Sequence, residues 1–395
     1  MNIIRQIIAV TAMNLRALPL RTTASLVSVI GIAGVVLILV ALLSISEGFR
    51  HTLELSGSDR VAVVLRGSSS AELTSSFSQE QVQIIEQAPG IARDSHGPII
   101  SAELYTSVDQ PKRTTRTAAN APFRGVEPAG PQTRAHFQLI MGRMFATGRY
   151  EVIVGHSAAQ TLTGLDVGRF VKWGNNEWQI VGEFTDGGSV SESEIWTDAR
   201  VLQSAYSRGD TFQTVRALLT SAGSFKAFKA ALVNDPRVSL TVLTEREFYA
   251  AQSALLSTVI RGAGTALGLL MGVGAVFGAL NTMYSAVAAR GTEIATLRAL
   301  GFGGLPVAVS VLIEALLLGL IGGALGALVA YVAFDGLQTS TLNYQSFTQV
   351  SFAFSVTPAL IITGTAYALL LALVGGLFPA IYAARRPIIA GLRQA

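Results

Sequence analysis

The chain contains no cysteine. That excludes a disulfide framework, a thiolate metal site, a cysteine nucleophile and lipid attached through sulfur. Charge is scarce as well: Asp, Glu, Lys and Arg make up 14% of the 395 residues, against about 25% in soluble domains. The net charge of +4 is small, and the basic residues are dispersed without interleaved aromatics, so nucleic acid is not an expected partner. The four histidines, at 51, 96, 136 and 156, have no ligand spacing to one another and are expected to be structural or surface residues. No GxxxxGK(S/T) phosphate loop, GxSxG elbow or HExxH helix occurs. Catalysis, a metal or a cofactor is therefore not expected in this chain. The acid pairs Asp109/Glu103 and Glu192/Glu194 lie in polar stretches and are expected to be solvated.

What the chain has in abundance is apolar surface. Half of it is hydrophobic, and the mean hydropathy is +0.48. Four stretches are long enough to cross a hydrocarbon core of about 30 Å, which takes about 20 helical residues. They run from about Ala24 to Ile45, Gly262 to Ala289, Leu305 to Phe334 and Thr357 to Ala384, and only the third holds a charge, Glu314. Helix is the expected conformation, because an isolated strand leaves its backbone unsatisfied in lipid. The first stretch exceeds the 7–15 apolar residues of a secretory signal and is read as a retained span.

Basic residues in short loops set orientation. The N-terminal tail has Arg5, Arg16 and Arg21, the loop after span two has Arg290 and Arg298 against Glu293, and the C-terminal tail has Arg385, Arg386 and Arg393. The loop from Asp335 to Val356 has no Lys or Arg. Both termini and the 290s loop are thus expected in the cytoplasm, and segment 47–257 outside. Ile3, Ile4, Ile7 and Ile8 share one helical face, which predicts a short interfacial helix before span one.

The expected fold is an α-helical bundle of four transmembrane helices with a large extracytoplasmic α+β domain between helices 1 and 2. Three regions follow: 1–46, with the interfacial helix and span one; 47–257, the outer domain; and 258–395, with spans two to four. Within the outer domain, Arg60–Leu65, Ile99–Val108 and Thr115–Val126 read as strands and Ser78–Gln87 as a helix. Val215–Leu219, Ser224–Leu232 and Val238–Leu243 read as a β-α-β unit echoing the first. Between them, about 127–184 reads as an inserted β subdomain containing Glu151–Val154, Phe170–Trp173 and Trp178–Phe184. Glu245–Thr258 is helix-prone and leads straight into span two.

Two features of the spans invite function. A carboxylate inside a span is costly, so Glu314 is a functional-site hypothesis; the alternative is that it packs, protonated or hydrogen-bonded, against a neighbouring helix. No charged partner lies in another span. Gly264, Gly268 and Gly272 in span two, and Gly319/Gly323 with Gly322/Gly326 in span three, have the spacing of close helix contacts, with dimerisation a further use.

The loop Val287–Gly301 reads as a short amphipathic helix. Arg290 and Glu293 can pair at i, i+3, and Gly301, Gly303 and Gly304 end the helix before Pro306 opens the next span. It is either a charged hairpin that fixes topology or a docking element for a cytoplasmic partner.

Its pattern, R-x-x-E-I-x-x-L-R-A-L-G, closely resembles the cytoplasmic loop of the MacB/LolC-E/FtsX-like ABC transporter permeases, the type VII or mechanotransmission group. Ala295 stands where that group usually has Gly. Leu20–Leu26 resembles the group's approach to span one. Phe123-Arg-Gly-Val-Glu-Pro, Gly142-Arg-Met-Phe, Glu151-Val-Ile-Val-Gly and Trp178-Gln-Ile-Val-Gly-Glu-Phe resemble its periplasmic core domain, and Ala384–Arg393 its ending. The arrangement of one span before the domain and three after it also matches.

The resemblance implies a permease in the bacterial inner membrane, paired with a second protomer and with a separate cytoplasmic ABC ATPase that holds ATP and Mg. A periplasmic adaptor is a further partner it implies for part of the group. By matching positions, Arg290, Glu293, Ile294, Leu297, Arg298, Ala299 and Gly301 form the coupling helix, about 287–301, on which the ATPase docks. Export, efflux or lipoprotein handling is the expected activity. The alternative is an FtsX-like regulator that transmits ATPase motion to an external enzyme; the size of the outer domain favours the former.

Overall fold

A computed structural model of the chain describes residues 3–17, 22–343 and 348–387. Leu20–Arg21 of the N-terminal motif and Ile388–Arg393 of the C-terminal one lie outside the described residues. Two compact units emerge: residues 1–47, 258–337 and 354–395 form one, and 48–257 with 338–353 form the other.

The first unit holds helix α1 (Ile3–Ala17) and most of α2 (Thr22–Leu55). Among the described residues, four helices are long and apolar enough to span a membrane, over Ser25–Leu55, Thr258–Ala289, Gly304–Phe334 and Pro358–Arg385. These coincide with the expected spans. In α1, Ile3, Ile4 and Ile8 are exposed while Val10 and Asn14 are buried, consistent with one apolar face free for lipid.

The second unit, the interhelical domain, is built on a ten-stranded sheet. Strand β1 (Val61–Arg66) leads to α3 (Gln79–Glu86), whose Ser78 and Gln81 form a reciprocal capping box. A small hairpin, β2 (Arg93–Asp94) and β3 (Gly97–Pro98), precedes the long β4 (Ile100–Pro111) and its partner β5 (Ala118–Val126). Next come β6 (Gln138–Gly142), β7 (Glu151–Gly155), α4 (His156–Thr161), β8 (Phe170–Trp173), β9 (Asn176–Thr185), β10 (Ile195–Asp198) and α5 (Ala199–Ala205). The chain closes the domain with β11 (Thr214–Leu218), α6 (Phe225–Val233) and β12 (Leu240–Thr244).

The order β12-β1-β11-β4 explains the echo in the sequence. Strand β11 pairs antiparallel with both β1 and β4, and β1 pairs antiparallel with β12. The two β-α-β units therefore interleave, as in a split β-α-β fold, over a core that includes Val64, Val82, Ile85, Phe212, Phe228 and Val242. The β-rich half is not a separate insertion bounded near 127 and 184. Strand β4 is long enough to serve both halves: Ile100 to Glu103 pair with β11, and Leu104 to Pro111 pair with β5. Strand β10 then adds parallel to β5, so the sheet continues without a break. Phe123, Trp173 and Trp178 fill the second core, Phe123 meeting Trp178 edge-on at 5.0 Å and Trp173 at a tilt at 5.3 Å.

Helix α7 (Glu245–Ala289) begins at the end of this domain and continues without interruption as the second span. After it come α8 (Gly291–Ala299), α9 (Gly304–Phe334), a hairpin of β13 (Gln338–Asn343) and β14 (Thr348–Ala353), and α10 (Pro358–Arg385). The hairpin, in what the sequence marks only as a loop without basic residues, belongs to the interhelical domain. Val350 and Phe352 are buried, Phe352 meets Phe49 edge-on at 5.6 Å, and Ser351 N donates to Ser193 Oγ at 2.9 Å.

Candidate functional site

The two glycine rows of α9 face different partners. A Cβ at Gly323 would stand 2.7 Å from Ala368 Cβ of α10, and one at Gly322 would stand 2.9 Å from Val29 O of α2. Gly319 likewise meets Ala368 and Ala372, and Gly326 meets Ala33. Spaced four apart on adjacent faces, the rows let α9 lie against both helices at backbone distance. In α7, Gly264 and Gly268 face Leu42 and Leu39, and Tyr367 donates to Gly268 O at 2.8 Å.

Against this packed bundle sits α8. Helix α7 ends at Ala289 and α8 starts at Gly291, so Arg290 alone makes the joint, with φ −96 and ψ 14. Gly301, at φ +94, closes α8 in a left-handed conformation that glycine adopts without strain. Glu293 in the first turn and Arg298 in the last complement the helix dipole.

The seven residues expected to form the docking element divide into two sets. Arg290 and Ile294 are buried and Leu297 is half-buried. Ile294 packs with Met283, Val287, Val307 and Val311. Arg298 is also half-buried, and its Nη1 donates to the carbonyl of Arg386 at 2.6 Å. Glu293, Ala299 and Gly301 are exposed. Leu300, which the motif contains but the sequence reading passed over, is 73% exposed.

Arg290 finds its partner on α9 and not within its own turn. Its Nη1 and Nη2 donate to Glu314 Oε2 and Oε1, both at 2.7 Å. This corrects the expected local pairing of Arg290 with Glu293, and it resolves Glu314: the carboxylate is hydrogen-bonded to a charge from the joint between helices. Both side chains are about 5% exposed or less. Nearby, Asn14 of α1 donates to Ser310 of α9, and Gly303 N donates to Gln6 Oε1 at 3.3 Å. This end of the bundle thus holds α8 firmly while leaving Glu293, Ala299, Leu300 and Gly301 exposed.

The interhelical domain contains a second polar site. Arg124 on β5 donates from Nε and Nη2 to Glu194 at 2.8 and 2.7 Å, from Nη1 and Nη2 to Glu72 at 2.9 and 3.0 Å, and from Nη1 to Glu103 at 2.9 Å. Arg134 grips Glu103 at 2.7 and 3.0 Å. Arg216 pairs with Glu245 and donates to Tyr249 at 3.1 Å. The expectation that Glu103, Glu192 and Glu194 are solvated is therefore wrong, although Asp109 is exposed. Glu103 and Glu194 are buried against arginines: Arg124 on the neighbouring strand β5 reaches both, and Arg216 on β11 and Arg134 in the turn after β5 reach Glu103. Glu192 is buried because it accepts from Asp186 N at 2.8 Å and Gly188 N at 2.7 Å, closing its own loop.

Burial alone would raise Glu103, yet Arg134, Arg124 and Arg216 hold it down to about 2. Burial pushes Glu245 up to about 7, with Arg216 and Arg134 only partly opposing. The arrangement binds buried acids to buried arginines and so ties neighbouring parts of the domain together.

The sequence profile of the MacB-like periplasmic core domain matches residues 25–235, and that of the FtsX-like permease C-terminal domain matches residues 265–388. The chain belongs to the MacB/FtsX-like, type VII family of ABC transporter permeases. No curated protein shows a significant match to this permease. Among solved structures, it is similar to the extracellular domain of the ABC-type transporter YknZ from Gram-positive bacteria, at 16% identity over 47% of this chain and 100% of that one, TM-score 0.35. It is also similar to the periplasmic region of MacB from Actinobacillus actinomycetemcomitans, at 10% identity, 51% and 95% coverage and TM-score 0.39. A third similar structure is a permease domain from Porphyromonas gingivalis, at 14% identity, 47% and 87% coverage and TM-score 0.30.

In this MacB/FtsX-like permease the stretches that carry the resemblance have physical roles. Phe123-Arg-Gly-Val-Glu-Pro supplies the core ring Phe123 and the hub Arg124. Gly125 is pressed against α5, where a Cβ would stand 2.8 Å from Ala199 Cα. Arg143 of Gly142-Arg-Met-Phe donates to Glu151 at 2.7 and 2.8 Å, joining two of those stretches.

Proposed function

We propose that this permease couples ATP hydrolysis by a separate ABC ATPase subunit to motion of its interhelical domain, in export, efflux or lipoprotein handling. ATP and Mg would reside on the partner, which docks on the outward face of α8. The observation that carries this reading is α8 itself, a short helix fixed from within yet exposing Glu293 and Leu300. A helix held this way passes on a push, where a floppy loop would absorb it.

Orientation follows from the basic residues. Arg5, Arg16, Arg290, Arg298, Arg385 and Arg386 support an orientation with both termini and α8 on the cytoplasmic side of the inner membrane and the interhelical domain outside. A second permease protomer, identical or paralogous, completes the assembly.

Affinity purification from native membranes tests the docking step. An ABC ATPase should co-elute with the wild-type chain, and Glu293→Arg with Leu300→Asp should lose it while the permease remains in the membrane fraction. Equal ATPase yield from both would refute α8 as the docking element.

A further inference from the structure

We propose that Glu314, acting through Arg290, is a positioning residue that sets the attitude of α8. The joint between α7 and α8 is a single residue, Arg290, outside the helical conformation. A one-residue joint leaves its two backbone torsions as the natural hinge. The side chain of that same residue is clamped to a different helix by two parallel bonds of 2.7 Å. A bidentate arginine–carboxylate pair fixes a plane as well as a distance. Arg290 Nε makes no hydrogen bond among the described residues, so the guanidinium takes its orientation from Glu314.

The surroundings argue against simple neutralisation. The pocket around the pair is lined mostly by apolar side chains, among them Val10, Met283, Val287 and Val311, with Asn14 and Glu293 as its other polar members. In such a setting a well-packed apolar pair is commonly as stable as a buried ion pair, or more so. What an apolar pair lacks is direction. The charged pair holds α8 to α9 in one geometry, so that a load on α8 reaches α7 and α9 together. That last step rests on α8 being the docking element; the positioning of α8 does not.

The absence of cysteine makes the test direct. Spin labels on Thr296→Cys, exposed in the middle of α8, and Leu337→Cys, beyond the far end of α9, report the attitude of α8 along the length of α9. The native pair should give a narrow distance distribution. Arg290→Met with Glu314→Leu should keep the thermal unfolding midpoint in detergent but shift or widen the distribution. Arg290→Lys, which keeps the charge and loses the bidentate plane, should widen it less. An unchanged distribution in the apolar double variant overturns the inference; should that variant not fold, an unchanged distribution in Arg290→Lys overturns it. Co-purification from the same membranes separates the two ideas. A widened distribution with ATPase yield fallen to background supports both. A widened distribution with full ATPase yield keeps Glu314 as the positioning residue and refutes docking at α8.

Discussion

The phenolic oxygen of Tyr105 on β4 lies 2.8 Å from Thr348 Oγ1 on β14, 243 residues further along the chain. Burial raises the Tyr105 phenol, so it stays protonated and able to donate. With Ser351 N on Ser193 Oγ, this bond fastens the β13–β14 hairpin into the interhelical domain. A buried hydrogen bond of this kind contributes about 1 kcal/mol. Tyr105→Phe and Ser193→Ala should each raise amide exchange in β14 several-fold, and together more, with little change in the cores around Trp178 and Phe228. Hydrogen-exchange mass spectrometry reads this.

Glu245 predicts an unusual pH dependence. Burial lifts its carboxyl from 4.5 to about 7 in the folded chain, so the folded state holds a proton that the unfolded chain releases. That contribution is fully present below about pH 4.5 and is lost as pH rises to about 7, amounting to about 3 kcal/mol. Glu103 and Glu151, both held at about 2, act in the opposite sense and lose their contribution as pH falls below about 4.5. Thermal unfolding between pH 5 and 8 should show stability falling with pH in the wild type, and Glu245→Gln should flatten that slope.

Arg124 is the hub of the buried network, and its removal leaves Glu72, Glu103 and Glu194 short of a counter-charge. Removing one side of a buried pair costs about 3–5 kcal/mol. Arg124→Met should lower the unfolding midpoint of the interhelical domain by many degrees, whereas Arg237→Met, on an exposed pair with Asp235, should change it little.

The glycine rows give a paired prediction. A Cβ at Gly326 runs into the backbone of Ala33, while one at Gly278 meets nothing within 4 Å. Gly326→Ala should destabilise the detergent-solubilised protein. Gly278→Ala should be neutral or stabilising, since alanine is favoured over glycine in a helix by about 1 kcal/mol.

The spans were legible because 20-residue apolar runs have few alternatives. Strands such as Glu151–Gly155 and the helix after Ser78 were legible from their local apolar patterning, whereas the Ser78–Gln81 capping box emerged only in the structure. The family was legible in a combination: the loop with Arg290, Glu293, Ile294 and Gly301 at fixed spacing, the outer-domain stretches around Phe123 and Glu151, and one span before the domain with three after it. Less visible was anything made by meeting at a distance. Glu103 and Glu194 look like solvated acids until strand pairing brings Arg124 beside both and the turn after β5 brings Arg134 to Glu103. The polar alternation of Gln338–Asn343 hides a hairpin whose burial depends on Tyr105 and Ser193. Arg290 had an obvious local partner in Glu293, and only the packing of α9 offers Glu314 instead.

In the proposed cycle, nucleotide events on another subunit reach the interhelical domain of this chain. Hydrogen exchange on the complex purified from native membranes, with and without MgATP, tests it most directly. MgATP should change exchange in β13–β14 and the first turns of α7, and Glu293→Arg with Leu300→Asp should abolish the change. Identical exchange with and without MgATP, in a wild-type complex that hydrolyses ATP, would contradict it.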